Sequence, residues 1–113
     1  MNELRVAGRA ARDIDEILER SEADFGAVAA DRYRRLLDVA LQLLKSDPAR
    51  AGVRTDADLP SGVRLFHLRI ARNRLAAVDR VGRPRHFLVF RIRPGLIEVL
   101  RVLHDTMDLA RHL

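Results

Sequence analysis

The sequence contains no cysteine, few aromatic residues and no long apolar run. Without cysteine there is no disulfide framework, and no thiolate can act as a nucleophile or a metal ligand. The aromatic content of 4% is too low for a platform on which nucleic-acid bases stack. No stretch approaches the ~20 apolar residues of a membrane span, and the N-terminus lacks the apolar core of a signal peptide. We therefore expect a cytoplasmic protein that does not act at a membrane.

The length and composition are those of one folded unit. The chain has 113 residues and a mass of 12.8 kDa, with 48% hydrophobic and 33% charged residues. This composition is ordinary for a globular protein and is unlike that of a disordered chain. A chain of this length has room for a single modest core and not for two. We predict one domain over residues 1–113.

The charged residues are divided unevenly along the chain. Residues 1–63 carry ten basic and twelve acidic side chains, whereas residues 64–101 carry ten arginines against only Asp79 and Glu98. The second segment thus has a net charge of +8, within a total of +5 for the chain. Such a polarised surface suits an acidic protein, a nucleic acid or a nucleoprotein as partner. The plainer alternative is a solvated arginine surface that only maintains solubility.

The N-terminal half predicts a short strand followed by two helices. Leu4–Ala7 alternates weakly between apolar and polar residues, which is typical of a strand. From Ala10 onward, apolar residues recur at helical spacing until the sequence ADFG interrupts the pattern near Gly26. A second helical pattern runs through residues 29–44 and ends at Ser46-Asp47-Pro48. Two amphipathic helices with a short connection predict an antiparallel helical hairpin.

The C-terminal half predicts strands. Residues 47–62 are rich in Asp, Pro, Gly and Ser and indicate an exposed loop. Residues 63–68 fit either a strand or a short helix, and the pattern leaves both possible. Phe87–Ile92 and Leu96–Leu103 are rich in β-forming residues and are joined by Arg93-Pro94-Gly95, which predicts a β-hairpin. Their nearly continuous hydrophobicity indicates strands that are buried on both faces.

These elements together predict an α+β fold. An N-terminal strand precedes an antiparallel helical hairpin, which packs on one face of a small antiparallel β-sheet. Residues 105–113 would form a short helical or extended tail. Residues 69–84 would form either a helix or a loop.

Several ordered segments resemble the RelE/ParE superfamily of toxins, and in particular its ParE branch. The segments are ARDIDEI in the first helix, FG followed by A..RYRRLL in the second, and then LPSGVRLFHLR, RHFLVFRI and EVLRVLHDTMDL. They span nearly the whole chain and occur in the order of the family. Residues 69–84 depart from the pattern because this segment is longer than in compact members.

The resemblance implies a toxin of a type II toxin–antitoxin module. Such toxins arrest growth when free and are neutralised by a small acidic antitoxin in a toxin–antitoxin hetero-oligomer. ParE-like members poison DNA gyrase, whereas RelE-like members cut messenger RNA on the ribosome. The two branches share a fold, so the fold cannot choose between them. We favour an inhibitor of DNA gyrase with no chemistry and no cofactor of its own, and keep a ribosome-dependent messenger RNA endoribonuclease as the alternative.

The ribonuclease alternative would need cationic groups and a proton carrier near one phosphate. Arg91 and Arg101 lie on the two hairpin strands, where residues of one parity share a face, and His104 follows three residues later. The plainer interpretation is that His104 ends the strand, packs against the helical hairpin and bonds to the backbone. We favour this interpretation, because the chain lacks the further clustered Lys, Glu or Tyr of catalytic relatives. Direct binding to nucleic acid is expected only in the ribonuclease alternative.

The C-terminal hairpin and tail are the predicted contact surface for gyrase or the antitoxin. Acidic antitoxin segments fold on their toxins, so the arginine-rich face and the groove beside the helical hairpin are natural docking sites. Reversing the charge of the two hairpin arginines together is expected to weaken toxicity without unfolding the domain. The residues predicted to contact a partner are Arg69, Arg91, Arg101, His104 and Asp108.

A metal site is not predicted. His104, Asp105 and Asp108 would share a face if the tail were helical, but no second histidine stands at a matching spacing. His112 lies on a tail expected to fray. Three further side chains are interpreted as packing residues: Tyr33, His67 and His86.

Overall fold

A computed structural model describes residues 2–113 and has the predicted α+β class. The two helices form a hairpin that packs on one face of a four-stranded sheet. No helix within residues 2–113 is long and apolar enough to cross a membrane. The elements are β1 (Glu3–Val6), α1 (Gly8–Phe25), α2 (Ala27–Ser46), β2 (Val63–His67), β3 (His86–Arg93) and β4 (Leu96–His104).

The helical hairpin forms as its apolar pattern predicts. The turn between α1 and α2 is a single residue, Gly26, whose φ of 92° and ψ of 170° are accessible to glycine and strained for other residues. The Gly26 N–H donates to the Glu22 carbonyl at 2.9 Å, which ends α1. The apolar stripe of α2 is buried against the sheet, and α2 ends at Ser46, before the predicted Asp47-Pro48 stop. The predicted break near Gly26 is confirmed.

The sheet has the strand order β1-β4-β3-β2 and is mixed. β3 pairs antiparallel with both β2 and β4, as expected for the hairpin and its neighbour. β1, however, pairs in parallel with β4, with Leu4 opposite Ile97. The expectation of a wholly antiparallel sheet is therefore corrected. A local pattern predicts a strand but not its pairing direction, which depends here on the path of the whole chain between β1 and β4.

The sheet is buried on both faces. Leu88, Phe90 and Val99 face the helices and belong to the main core. Val89 and its neighbours on the opposite face, which we call the outer face, form a second cluster that includes Leu103. The predicted burial of the hairpin strands on both faces is confirmed.

Three segments left open by the sequence are now defined. Residues 63–68 are strand through His67, because β2 pairs with β3 over its whole length. Residues 69–84 contain no α-helix. Short 3₁₀ turns instead occupy Leu68–Ile70, Arg72–Arg74 and Ala77–Asp79. The tail contains one further 3₁₀ turn, Leu109–His112.

Candidate functional site

Arg91 belongs to a charged row that crosses three strands on the outer face. The strand register aligns Arg5 of β1, Glu98 of β4 and Arg91 of β3, and we call these three residues the arginine row. Arg91 Nε donates to Glu98 Oε1 at 2.7 Å, and Arg5 donates to Oε2. These hydrogen bonds lower the pKa of Glu98, although burial opposes the shift. The Glu98 side chain is only 6% exposed, whereas Arg5 and Arg91 are 65% and 40% exposed. The row therefore presents two ordered guanidinium groups at the surface.

Arg101 is held at the free edge of β4. The pairing shifts between Val89 and Phe90, because Val89 lies opposite Arg101 while Phe90 lies opposite Val99. Leu100 is the extra residue of this β-bulge. β1 pairs with β4 only as far as Val99, so β4 continues beyond its neighbour.

Asp13 of α1 covers this free edge. Its Oδ2 accepts hydrogen bonds from the Val102 N–H at 2.9 Å and from Arg101 Nε at 2.7 Å. Its Oδ1 accepts from Arg101 Nη2 at 3.0 Å. The Arg101 and Asp13 side chains are only 14% and 13% exposed. The hydrogen bonds that Arg101 donates to Asp13 raise the pKa of Arg101, against the effect of burial. We call this bidentate pair the Asp13–Arg101 clamp.

The remaining terminal nitrogen of Arg101 binds the tail. Arg101 Nη1 donates to the His112 carbonyl at 2.7 Å. All three guanidinium nitrogens thus have partners within the chain. Arg101 cannot clamp a phosphate or contact a partner directly without breaking a mostly buried ion pair. Reversing its charge would put a second carboxylate beside Asp13, so for Arg101 this geometry favours a loss of stability on charge reversal.

His104 lies on the opposite face from Arg101, since the two are three residues apart on a strand and successive side chains alternate. It pairs across the sheet with His86 on the helix-facing side. Its Nδ1 accepts from the Thr106 N–H at 3.2 Å and lies 2.7 Å from Thr106 Oγ1. Its side chain is 34% exposed. The geometry agrees with a partly buried His104 bonded to backbone. Arg91, Arg101 and His104 do not converge on one point.

A cluster of histidines that the sequence analysis did not identify lies at this end of the sheet. His86 and His104 pack edge to face, with ring centroids 5.2 Å apart. Tyr33 of α2 also packs edge to face with His86, with ring centroids 5.5 Å apart, and its hydroxyl lies 2.5 Å from His86 Nδ1. The same hydroxyl accepts the Arg85 N–H at 3.3 Å. Burial raises the pKa of Tyr33 to about 12 and lowers the pKa of His86 to about 4. Both groups are neutral at pH 7.

His67 joins the cluster from the outer face. Its Nδ1 accepts the Arg69 N–H at 3.0 Å, so Nε2 carries the proton and donates to Asp105 Oδ2 at 3.0 Å. Asp105 Oδ1 also accepts from Arg85 Nε at 3.1 Å. Burial lowers the pKa of His67. Burial also acts to raise the pKa of Asp105. The hydrogen bonds from His67 and Arg85 have the larger effect, so the pKa of Asp105 is lowered. Both imidazole nitrogens of His67 are occupied, which fits a packing role.

The other predicted contact residues lie apart. Arg69 is exposed on the turn that follows β2, and Asp108 is exposed just before the last 3₁₀ turn. Within residues 2–113, no three His, Asp or Glu side chains are arranged to hold a metal ion. A groove of about 440 Å³ lies beside the helical hairpin and edge strand β1. Its lining residues are Leu4, Asp38, Leu41, Gln42 and Lys45.

Sequence comparison identifies relatives over the whole chain. The family model described as the ParE toxin of the type II toxin–antitoxin system, parDE, matches residues 4–109. Toxin ParE1 of Caulobacter vibrioides is 26% identical over 113 residues, which covers all of this chain and 99% of that protein.

Solved structures share the fold at lower identity. A chromosomal ParDE system from P. aeruginosa superposes with a TM-score of 0.70 at 19% identity, covering 92% of this chain and 96% of that one. The E. coli DinJ–YafQ complex gives a TM-score of 0.54 at 13% identity, covering 92% and 93%. The resemblance seen in the sequence is confirmed, and the chain belongs to the ParE toxins of type II toxin–antitoxin systems.

Proposed function

We propose that this toxin arrests growth by binding DNA gyrase and inhibiting it, with no chemical step of its own. Poisoning of gyrase is the role that resemblance to the ParE branch implies. The observation that carries the proposal is that Arg91, Arg101 and His104 each bind a different group within the chain. A ribonuclease site would need these groups free and directed at one phosphate. A binding surface has no such requirement.

We propose further that a cognate acidic antitoxin neutralises the toxin in a hetero-oligomer. Two of the similar structures are a ParDE system and a DinJ–YafQ complex, which are toxin–antitoxin assemblies by name. The groove beside the helical hairpin combines two leucines, Leu4 and Leu41, with the polar side chains of Asp38, Gln42 and Lys45, a mixed lining that suits an amphipathic segment. The basic segment 64–101 supplies charge that complements acidic side chains. Both partners imply a cytoplasmic location.

The proposed contact residues differ in how they reach a partner. Arg91 presents an ordered guanidinium on the outer face, and Arg5 extends the same row. Arg69 and Asp108 are exposed on turns, and His104 is accessible over about a third of its side chain. Arg101 is enclosed, so its contribution to binding must be indirect.

The alternative is a ribosome-dependent messenger RNA endoribonuclease. The observation in its favour is the gathering of His67, His86, His104 and Tyr33 at one end of the sheet. His104 is the most accessible of the four and would have to carry the proton. Against this role, a hydroxyl or amide of the chain already occupies Nδ1 in each of the three histidines. In this alternative alone, the arginines would bind RNA directly.

A paired assay distinguishes the two functions. Purified protein is added to a gyrase supercoiling reaction and, in parallel, to a translation extract probed for messenger RNA cleavage. We expect supercoiling to be inhibited while the message stays intact. Arg91→Ala should weaken this inhibition, whereas Arg35→Ala, which removes an exposed ion-paired arginine on α2, should not. Cleaved message with unaffected gyrase would establish the ribonuclease alternative instead.

A further inference from the structure

Residues 105–113 fold back along the outer face. One side of this segment packs against the sheet, and we call it the docked side; the other side faces solvent, and we call it the displayed side. Leu109 and Leu113 pack against the second apolar cluster. Met107, Asp108 and Arg111 point away from it and are exposed, including 43% of the Met107 surface. A segment of this kind is suited to contact another molecule only while its docked side stays in place.

The segment has little stability of its own. Its 3₁₀ turn, Leu109–His112, is a single turn closed by the Arg111 N–H on the Asp108 carbonyl at 3.2 Å. Isolated turns of this length do not persist in water, because one hydrogen bond does not offset the ordering of the backbone. The near end of the segment is fixed by the Asp105 N–H on the Arg85 carbonyl at 2.7 Å. Its far end needs a second attachment.

Arg101 supplies that attachment. Its Nη1 donates to the His112 carbonyl at 2.7 Å, while Arg9 reaches the same carbonyl only at 3.4 Å. Asp13 holds Nε and Nη2 of Arg101 and thereby fixes the direction of Nη1. A planar guanidinium can serve two partners on different sides at once, whereas a lysine ammonium on a flexible stem cannot hold this geometry. The bond to His112 is therefore preorganised by α1.

We infer that Arg101 is a positioning residue, which orders residues 105–113 so that their displayed side contacts the target. This inference rests on the proposed function, because the target is gyrase. It assigns Arg101 no direct contact. The Asp13–Arg101 clamp makes the helical hairpin part of the support for the contact segment, although α1 and residue 112 are far apart in the sequence.

The absence of cysteine from the chain allows a direct test of order in this segment. Leu109→Cys introduces a single thiol on the docked side, and Val99→Cys introduces one in the main core as the matched control. The rate of labelling by a thiol reagent is measured for each, with and without Arg101→Lys. Lysine keeps the positive charge beside Asp13 but cannot also reach the His112 carbonyl in the same geometry. Because Arg101→Lys also weakens the pair with Asp13, labelling should accelerate somewhat at both positions. We expect the acceleration at position 109 to exceed that at position 99 by about tenfold, the size that follows from losing one charge-assisted hydrogen bond.

The labelling result separates positioning from general stabilisation. Equal acceleration at both positions would mean that Arg101 only stabilises the fold, and unchanged labelling at position 109 would mean that it does not order the segment. Either result overturns the inference. Arg35→Lys, an exposed arginine paired with Asp31 and Asp79, serves as the arginine-to-lysine control and should alter neither rate.

The same variants are then tested without the cysteines in the gyrase assay. Arg101→Lys should lose about tenfold in inhibition, in step with the labelling rate. Faster labelling with full inhibition would overturn the role of the segment in contact. Leu109→Ser removes the apolar contact between the segment and the second cluster while Arg101 stays intact. This variant should also inhibit gyrase less than the wild type. Normal inhibition by this variant would also overturn the contact role, even if Arg101→Lys fails to fold.

Failure of the proposed function has a distinct signature. If the wild-type protein does not inhibit gyrase, gyrase is not the target, and the inferred contact between residues 105–113 and gyrase is wrong as well. The labelling rates still decide whether Arg101 orders residues 105–113.

Discussion

Arg91 and Arg101 have the same side chain, lie on the two strands of one hairpin and each bind a carboxylate, yet the fold uses them differently. Arg91 reaches out from a buried Glu98 and keeps a large part of its guanidinium at the surface. Arg101 and its partner Asp13 are both enclosed between β4, α1 and the tail. The same pairing therefore displays one arginine and encloses the other.

The difference shows which charged groups a partner can use. A displayed ion pair contributes little to stability, about 0–1 kcal/mol, since water screens it and the side chains lose entropy. Breaking an enclosed pair is costly, because the remaining charge is left poorly solvated. Enclosed groups such as Arg101, Tyr33 and His86 are thus expected to hold the fold. Displayed groups such as Arg5 and Arg91 are expected to serve recognition.

The largest effect should come from reversing the enclosed arginine. Arg101→Glu puts two carboxylates together at a mostly buried site and should lower the free energy of unfolding by about 3–5 kcal/mol. Arg91→Glu should cost clearly less, because Glu98 keeps Arg5 as a partner and the site is open to water. Urea unfolding followed by circular dichroism measures both. If both variants lose the same free energy of unfolding, Arg91 and Arg101 do not differ in their contribution to stability.

Acid should test the enclosed histidine. The pKa of His86 is lowered from 6.5 to about 4. Between these pH values His86 is therefore protonated in the unfolded chain and neutral in the native protein. Stability should therefore fall as the pH falls from about 6.5 to 4, by about 3 kcal/mol from this group. The lowered pKa of His67 acts in the same direction.

The control for this acid sensitivity is His86→Asn, which removes the titrating ring. Its free energy of unfolding, measured in urea at pH 7 and at pH 4.5, should depend less on pH than that of the wild type. The same dependence in both proteins would show that His86 is not the group responsible.

Tyr33→Phe should have a smaller effect. The change removes the hydrogen bond between Tyr33 and His86 and the acceptor of the Arg85 N–H, and should cost about 1–2 kcal/mol at pH 7. In the wild type, stability should also fall as the pH rises from 10 to about 12, since the unfolded chain ionises its tyrosine first. Tyr33 is the only tyrosine, so its ultraviolet titration reads this pKa directly. A titration near pH 10 would contradict its enclosure.

The sequence predicted the elements that depend on local pattern. The hairpin of helices, the break at Gly26 and the strands on either side of Pro94-Gly95 follow from apolar spacing and turn residues, which act over a few positions. Membership of the family was also recognisable, because its segments occur in order along the chain.

The contacts that define the site could not be predicted in this way. Asp13 and Arg101 are 88 residues apart, and Arg5 and Glu98 are 93 apart, so no local pattern joins them. The bulge at Leu100 moves the pairing by one residue and brings His104, instead of Leu103, opposite His86. A regular hairpin register drawn from the turn would have missed this pair. The difference in exposure between Arg91 and Arg101 arises from such long-range contacts.

The smallest effect on stability should come from truncating the displayed arginine, and it is the sharpest test of recognition. Arg91→Ala leaves Glu98 bonded to Arg5, so the free energy of unfolding should change by no more than about 1 kcal/mol. Inhibition of gyrase should nevertheless weaken, by about tenfold if Arg91 forms one charge-assisted contact with the target. Arg35→Ala removes an arginine of similar exposure from α2 and should leave inhibition intact. If Arg91→Ala destabilises the protein as much as Arg101→Ala, Arg91 also belongs to the fold, and the recognition surface must lie elsewhere.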